Sequence, residues 1–154
     1  MTARVAVLDD EQRMVDVLRM MLSRDGYEVE GFVRSDDALE AIAERPVDVL
    51  ITDLRMPGPD GLEVLRRARA VVPDLPVILV TAHATVQTAI AALREGAFDY
   101  VEKPFDNDAL KTLVRRAVDL GRLGRENRYL RAELRSRYAP DRIAALSATT
   151  RSGA

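Results

Sequence analysis

Residues 49–53 read Val-Leu-Ile-Thr-Asp, a short apolar run closed by an acid, and this run indicates the fold. A strand this apolar is typical of the centre of a parallel sheet, where both faces are buried. Three further runs also end in polar residues: 5–10 (Val-Ala-Val-Leu-Asp-Asp), 77–81 (Val-Ile-Leu-Val-Thr) and 100–104 (Tyr-Val-Glu-Lys-Pro). Helix-like segments separate the runs, which is the pattern of parallel strands joined by crossover helices.

The spacing of these segments predicts an α/β fold, a (βα)₅ doubly wound domain with a five-stranded parallel sheet over about residues 1–120. Its strands are predicted at 4–8, 27–32, 47–52, 77–81 and 98–102. Helices are predicted at 11–24, from a Ser35 N-cap to just before Pro46, at 62–72, at 85–95 and from Asp106 onward. No proline interrupts 107–139, so the last helix is expected to extend beyond the domain.

Charge divides the chain into two parts. Residues 1–110 carry a net charge of −9, and residues 111–154 carry +7. This shift predicts a compact acidic domain followed by a basic extension. The extension is expected to comprise a helical linker at 121–138 and a tail at 139–154 that is rich in Ala, Ser, Thr and Gly and is therefore expected to be flexible. Acidic residues interspersed in the basic helix favour a solvated face, so direct nucleic-acid binding is not expected.

Several classes of protein are disfavoured by the composition. The chain has no cysteine, which excludes disulfides and thiol chemistry. No apolar run approaches the roughly 20 residues of a membrane span. The first residues lead directly into a strand and leave no room for a signal peptide. We therefore expect a cytoplasmic protein without membrane contact.

Five chemically suited side chains follow the predicted strands. Asp9 and Asp10 follow the first strand, Asp53 the third, Thr81 ends the fourth, and Lys103 follows the fifth. Because parallel strands end at one edge of a sheet, these groups should converge there. Crowded carboxylates repel one another, and a bound Mg²⁺ relieves this repulsion.

The residue types then indicate individual roles. Asp10 and Asp53 are assigned as direct Mg²⁺ ligands, Asp9 as a ligand through water, and the backbone carbonyl of Arg55 as a further ligand. A carboxylate such as Asp53 can also be the nucleophile that forms an aspartyl phosphate. Lys103 would contact phosphoryl oxygens and Thr81 would donate a hydroxyl, while the Lys103-Pro104 bond is a candidate cis peptide.

Four motifs carry a family resemblance: Asp-Asp-Glu at 9–11, Asp-Leu-Arg-Met-Pro-Gly-Pro-Asp-Gly at 53–61, Thr-Ala at 81–82 and Lys-Pro-Phe at 103–105. Together they resemble the receiver domain of two-component response regulators, a fold of the flavodoxin and CheY type. The resemblance covers about residues 3–120.

By that resemblance, Asp53 is the phosphoacceptor, Asp9 and Asp10 are metal-binding acids, Lys103 binds phosphate, and Thr81 and Tyr100 are the switch residues. The phosphoryl donor is a phosphohistidine on a sensor histidine kinase. The motifs around 81–84 and 96–100 are similar to the NtrC/DctD branch, in which an ATPase and a DNA-binding domain follow the receiver. By that resemblance, the tail at 139–154 is a candidate start of a truncated output domain. Such a domain is a signalling module and not an enzyme, apart from self-dephosphorylation.

Two other functions remain open from the sequence. A haloacid-dehalogenase-like phosphatase also uses an Asp nucleophile and Mg²⁺, but it would need an acid where Arg55 stands. A pseudo-receiver would serve only as a dimerisation scaffold, and the intact acid set argues against it.

The predicted extension of the last helix has a heptad-like pattern of apolar residues. Arg116 and two glycines, Gly121 and Gly124, interrupt or weaken that pattern. A dimeric coiled coil is the favoured interpretation, and a single amphipathic helix on its own domain is the alternative. The dimerisation positions are Leu113, Leu120, Leu123, Asn127, Leu130 and Leu134.

Overall fold

The structure is a computed structural model that describes residues 2–82 and 84–137. Strands and helices alternate throughout this part of the chain. In chain order they are β1 (Arg4–Leu8), α1 (Gln12–Arg24), β2 (Glu28–Phe32), α2 (Ser35–Glu44), β3 (Val49–Thr52), α3 (Gly61–Val71), β4 (Val77–Thr81), α4 (Val86–Arg94), β5 (Asp99–Glu102) and α5 (Asn107–Arg137). The predicted tail at 139–154 lies outside the described residues.

The strands form one parallel sheet in the order β2-β1-β3-β4-β5. Their pairing places Leu8 beside both Phe32 and Thr52, and Thr81 beside Glu102, so the strands end at a common edge. After β1 the chain adds β2 at one edge of the sheet, whereas after β3 it adds β4 and β5 toward the other edge. The crevice between such strands is where open α/β sheets bind ligands. The predicted (βα)₅ doubly wound fold is confirmed.

Each face of the sheet is covered by its own set of helices. Ala6 and Leu8 of β1 contribute to a first core with residues of α2, α3 and α4. The alternate residues, Val5 and Val7, contribute to a second core with residues of α1 and α5. Because successive side chains of a strand point to opposite faces, a strand covered on both faces must be apolar throughout. This is why β1, β3 and β4 appear in the sequence as continuous apolar runs.

Three strands begin later than predicted, at Glu28, Val49 and Asp99. The residues before them are held by other backbone bonds. The Tyr27 amide donates to the Leu22 carbonyl at the end of α1, and the Asp48 amide donates to the Arg4 carbonyl.

The prediction that Ser35 caps α2 is wrong. Arg34 occupies the N-cap position and makes no side-chain capping bond, and Ser35 is the first residue of the helix. The Ser35 hydroxyl instead donates to the Pro59 carbonyl, 2.8 Å away. A tertiary partner has replaced the local backbone partner that a serine at a helix start usually finds.

The last helix, α5, spans 31 residues and continues through Gly121 and Gly124. Gly121 is buried, and a Cβ there would lie 3.1 Å from the Asp48 carbonyl oxygen and 3.2 Å from Pro76. The glycine therefore permits a close approach of α5 to this part of the domain. The chain forms two compact units, and the boundary between them lies between Arg122 and Leu123. The role of 121–138 as a dimerisation linker stays a prediction.

Within residues 2–82 and 84–137, none of the helices has the length and hydropathy needed to cross a bilayer.

Candidate functional site

Backbone hydrogen bonds hold three of the predicted site residues just beyond the ends of their strands. The Asp9 amide donates to the Phe32 carbonyl (3.1 Å), the Asp53 amide to the Leu8 carbonyl (3.0 Å) and the Lys103 amide to the Thr81 carbonyl (2.8 Å). Each bond reaches the last residue of a neighbouring strand. These hydrogen bonds thereby fix the backbone position of each of the three residues at the sheet edge.

The three predicted acids form one cluster. Asp9, Asp10 and Asp53 each offer a carboxylate oxygen, and these oxygens all lie within 4.8 Å of one another. Asp9 is only 2% exposed, whereas Asp10 is exposed and Asp53 is partly buried. The structure thus brings together the acids that the sequence indicated, in three different degrees of burial.

Lys103 joins two of these acids. Its Nζ donates to Asp9 Oδ2 at 2.8 Å and to Asp53 Oδ2 at 3.2 Å. Burial by itself would lower the pKa of Lys103, but the hydrogen bond and charge of Asp9, aided by Asp53, outweigh it and leave the pKa above its ordinary value. Lys103 is therefore a cation at neutral pH. Its Lys103-Pro104 peptide bond is cis.

The pKa of Asp9 is subject to opposing effects. Burial raises the pKa of Asp9 above its ordinary value, and the nearby Asp53 charge adds to the rise. Hydrogen bonds from Lys103 and from the Glu11 amide (2.9 Å to Oδ1) lower it only in part. Both Asp9 oxygens therefore have protein partners, and burying this charge is unfavourable unless a cation compensates it.

The site fits a hard divalent cation. Three carboxylates face one ammonium group, so ionised acids leave excess negative charge at the sheet edge. Clustered carboxylate oxygens are the ligands that such cations prefer. The amide of Arg55 lies 3.4 Å from Asp53 Oδ1. The predicted ligation by the Arg55 carbonyl stays a prediction.

A tight turn returns the chain from Asp53 to α3. The Gly61 amide donates to the Leu54 carbonyl at 2.8 Å. A Cβ on Gly61 would overlap the Asp53 carbonyl oxygen and would lie 2.7 Å from Leu54 Cα. Asp60 then caps α3, because its Oδ1 accepts from the Glu63 amide at 3.0 Å. Gly61 therefore permits the close return of the chain, and Asp60 supplies the N-cap at which α3 starts.

The two predicted switch residues lie on neighbouring strands. Thr81 is fully buried at the end of β4, and Tyr100 is partly buried against the first core. The Tyr100 hydroxyl lies 2.8 Å from Thr88 Oγ1, which is 2.9 Å from Thr85 Oγ1 at the start of α4. The structure shows where Thr81 and Tyr100 are, and their switching role stays a prediction.

Sequence reasoning missed two tertiary hydrogen bonds near the site. These are the contact of Thr88 with Tyr100 and the contact of Ser35 with Pro59. The first joins residues 12 positions apart and the second joins residues 24 positions apart, each through a hydroxyl group. Threonine and serine near helix starts have local uses as caps, so no pattern in the sequence indicated distant partners.

The predicted dimerisation positions differ in exposure. Leu113 is partly buried and packs against the second core, so only part of its side chain is available to another molecule. Leu120, Leu123, Leu130 and Leu134 are exposed. The side chain of Asn127 lies outside the described part of the structure.

Comparison with known proteins gives a consistent family assignment. The family described as response regulator receiver domain matches residues 5–115. The C4-dicarboxylate transport transcriptional regulatory protein DctD of Pseudomonas aeruginosa is 42% identical over 138 residues, covering 88% of this chain and 29% of that protein. The DNA-binding transcriptional regulator NtrC of Escherichia coli is 43% identical over 114 residues, covering 74% of this chain and 24% of that protein.

Solved structures agree with these relatives. NtrX from Brucella abortus, in complex with ADP, superposes with a TM-score of 0.77 at 36% identity, covering 84% of this chain and 30% of that one. A receiver domain protein from Clostridium thermocellum has a TM-score of 0.75 at 33% identity, covering 79% of this chain and 98% of that one.

The chain spans less than a third of the length of the curated relatives described above. The similarity to DctD, NtrC and NtrX also confirms the predicted NtrC/DctD-like branch. With the acid cluster, the lysine and the sheet order in agreement, the chain belongs to the response regulator receiver domain family.

Proposed function

We propose that Asp53 is the phosphoacceptor of this receiver domain and that the phosphoryl donor is a phosphohistidine on a sensor histidine kinase. The observation that carries the proposal is the acid cluster at the β1–β3 crevice with Lys103 bonded to Asp53 and Asp9. In the transfer, an Asp53 carboxylate oxygen forms a bond to phosphorus while the bond from phosphorus to the histidine nitrogen breaks. The imidazole leaves, and Asp53 becomes an aspartyl phosphate.

The environment of each acid supports Asp53 as the nucleophile. Asp9 is nearly inaccessible, and its two oxygens accept from the Glu11 amide and from Lys103. Asp53 is more accessible and lies after β3, the central strand of the sheet. Within the described part of the chain, the hydrogen-bond contact of its Oδ1 is the longer one, 3.4 Å from the Arg55 amide. Asp10 is more exposed than Asp53, but the Lys103 ammonium bonds to Asp53 and Asp9. Partial exposure together with the lysine contact supports Asp53 as the acid that meets an incoming phosphoryl group.

Asp9, Asp10 and Asp53 would hold Mg²⁺, with the Arg55 carbonyl as a further ligand. When bound, Mg²⁺ supplies neutralisation of the charge shared by the carboxylates and phosphoryl oxygens. Lys103 is already within reach of Asp53 and would contact a phosphoryl oxygen carried there. Thr81 would donate its hydroxyl to the same group, and Tyr100 would respond to the movement of Thr81.

The output of the switch would be a change in the surface formed by α4, β5 and α5. That change would alter dimerisation through α5 and the activity of output domains. The names of DctD and NtrC support regulation of transcription as the final output. The same likeness supports an intracellular location and partnership with a histidine kinase. We do not favour a haloacid-dehalogenase-like phosphatase, since Arg55 stands where its second acid is needed, or an inert scaffold, since the acids and lysine are clustered.

The test is modification by acetyl phosphate, followed by intact mass, together with binding of beryllofluoride. Wild-type protein should be modified in Mg²⁺, and chelation of the metal should prevent it. Asp53→Ala should abolish modification, whereas Asp108→Ala, which removes an exposed acid of α5, should not. Modification of Asp53→Ala at the wild-type rate would exclude Asp53 as the acceptor.

A further inference from the structure

A serine hydroxyl connects two loops that flank the acid cluster. Ser35, the first residue of α2, is 4% exposed, and its Oγ donates to the Pro59 carbonyl at 2.8 Å. Pro59 belongs to the turn between Asp53 and α3. The bond therefore joins the turn that follows the proposed phosphoacceptor to a separate part of the chain.

The sheet order gives this bond its position. Strand β1 lies between β2 and β3, so the loop carrying Asp9 and Asp10 lies between the loops that follow β2 and β3. Ser35 stands at the end of the first flanking loop, and Pro59 lies in the second. Asp10 and residues of both flanking loops line a common cleft of about 520 Å³. The hydrogen bond from Ser35 to Pro59 thus links the two loops that line this cleft, beside the proposed metal site.

The turn at 54–60 is held at its ends by its own residues. The Gly61 amide bonds to the Leu54 carbonyl, and Asp60 caps α3. Between these points Met56 packs against the first core, and Pro59 accepts the bond from Ser35. The Ser35 bond is consequently a tertiary restraint on the segment that contains Arg55, close to the Asp53 carboxylate.

Local structure does not explain the use of this hydroxyl. Serine hydroxyls at helix starts commonly accept from the helix's own amides, and α2 has no side-chain capping bond at its N-cap. The Ser35 hydroxyl is directed to Pro59 instead. A buried hydroxyl that holds a loop is well suited to restricting the arrangements available to that loop.

We propose that Ser35 is a positioning residue for the metal site, through its restraint on the turn that follows Asp53. The inference rests on the proposed function. Mg²⁺ requires near-ideal octahedral geometry, whereas Ca²⁺ accepts more variable arrangements and longer bonds. Loosening the turn should therefore weaken binding of Mg²⁺ more than binding of Ca²⁺. A residue that served only overall stability would not change this preference.

The experiment is titration of the full chain with Mg²⁺ and with Ca²⁺ by isothermal calorimetry. Ser35→Ala should weaken Mg²⁺ binding by about fivefold, the effect of one ordinary hydrogen bond, and should weaken Ca²⁺ binding by less than about twofold. Ser35→Thr retains a hydroxyl and should restore most of the Mg²⁺ affinity. Thr112→Ala is a control for loss of a hydroxyl group as such, since it removes an exposed hydroxyl that donates to the Asp108 carbonyl within α5.

The outcomes separate this inference from the proposed function. If wild-type protein binds Mg²⁺ but Ser35→Ala binds it within twofold of wild type, the positioning role is wrong and the acceptor site is unaffected. Equal weakening of Mg²⁺ and Ca²⁺ binding also contradicts the role. If wild-type protein binds neither metal, both the proposed site and the role of Ser35 are wrong. Circular dichroism of each variant confirms that a folded chain was titrated. If Ser35→Thr does not fold, the ratio of Mg²⁺ to Ca²⁺ affinity in Ser35→Ala, compared with the ratio in Thr112→Ala, decides the test.

Discussion

The three acids of the site differ in their surroundings although they belong to one cluster. Asp9 is buried and bonded at both oxygens, Asp53 is partly buried, and Asp10 is exposed. Lys103 is the cation bonded to the first two. Asp9 and Asp10 are adjacent in the sequence, which does not indicate that one is buried and the other exposed.

Lys103 has two proposed roles, compensation of the buried Asp9 charge and contact with the phosphoryl group, and replacing it should separate them. Lys103→Ala leaves the buried Asp9 carboxylate without its cation, so the free energy of unfolding without metal should fall by about 3 kcal/mol. Added Mg²⁺ should recover part of that loss, because it compensates the same carboxylates. Beryllofluoride binding should be impaired, since the lysine is placed to contact the phosphoryl group. Urea unfolding with and without Mg²⁺ measures the first effect.

Asp10→Ala is the complementary variant for that experiment. It removes a proposed direct ligand from an exposed position, so Mg²⁺ affinity should fall while stability without metal changes little. Titration of Mg²⁺ into both variants compares them directly. Wild-type Mg²⁺ affinity in Asp10→Ala would contradict its assignment as a ligand.

Gly61 provides a second test. Gly61→Ala should destabilise the domain by about 2 kcal/mol, because a Cβ overlaps the Asp53 carbonyl oxygen and crowds Leu54. Gly58→Ala is the control: Gly58 has φ of +75° but open space around its Cβ position. It should lose only the roughly 1 kcal/mol of an unfavourable backbone conformation. Equal losses in the two variants would show that the close approach at Gly61 is unimportant.

At the scale of elements, the start of α4 is connected to β5 through hydroxyl groups. Thr85 and Thr88 form a reciprocal capping arrangement, and Thr88 also contacts the hydroxyl of Tyr100. The first turn of α4 and the proposed switch aromatic therefore share one residue. A movement of Tyr100 would change the hydrogen bonds at the beginning of the helix.

Thr88→Ala should loosen this turn. Loss of the reciprocal cap should destabilise the domain by about 1 kcal/mol, and amides in the first turn of α4 should exchange with solvent faster. Thr88→Ser retains the hydroxyl and should behave like wild type. Hydrogen–deuterium exchange followed by NMR measures the effect residue by residue. If exchange in α4 is the same in Thr88→Ala and wild type, the hydroxyl network does not stabilise the turn.

For the molecule as a whole, the exposed leucines of α5 are the basis of the dimer that we expect. Leu120, Leu123, Leu130 and Leu134 are exposed at heptad positions. Because Gly121 packs against Asp48 and Pro76, the shortened chain for comparison should end after Arg122. Cutting before Gly121 would remove part of the domain's own packing.

We expect the full chain to dimerise and the chain ending at Arg122 to be monomeric. Leu130→Lys with Leu134→Lys should abolish the dimer, since charged groups would enter an apolar seam. Tyr129→Lys, at an exposed position outside the heptad pattern, should not. Beryllofluoride should change the strength or geometry of the dimer. Sedimentation decides the matter, and a full chain that stays monomeric in both states at tens of micromolar would exclude the coiled coil.

Local patterns in the sequence predicted the architecture and the residues that meet at the sheet edge. Apolar runs of strand length predict buried parallel strands, and Asp9, Asp53, Thr81 and Lys103 come at the ends of those runs. Parallel strands end at one edge of the sheet, so the convergence of these residues follows from the parallel arrangement that the sequence predicts. The motif around Asp53 then supported the family assignment.

The hydrogen-bond partners of the side chains, in contrast, became known from the packed fold. Lys103 binds Asp9 and Asp53, Ser35 holds Pro59 instead of capping α2, and Gly121 allows a close approach where the sequence indicated only a weaker helix. Hydroxyl and ammonium groups can satisfy their hydrogen bonds locally or far along the chain. The choice depends on which distant groups the packed helices and sheet bring within about 3 Å, and a one-dimensional pattern does not contain that distance.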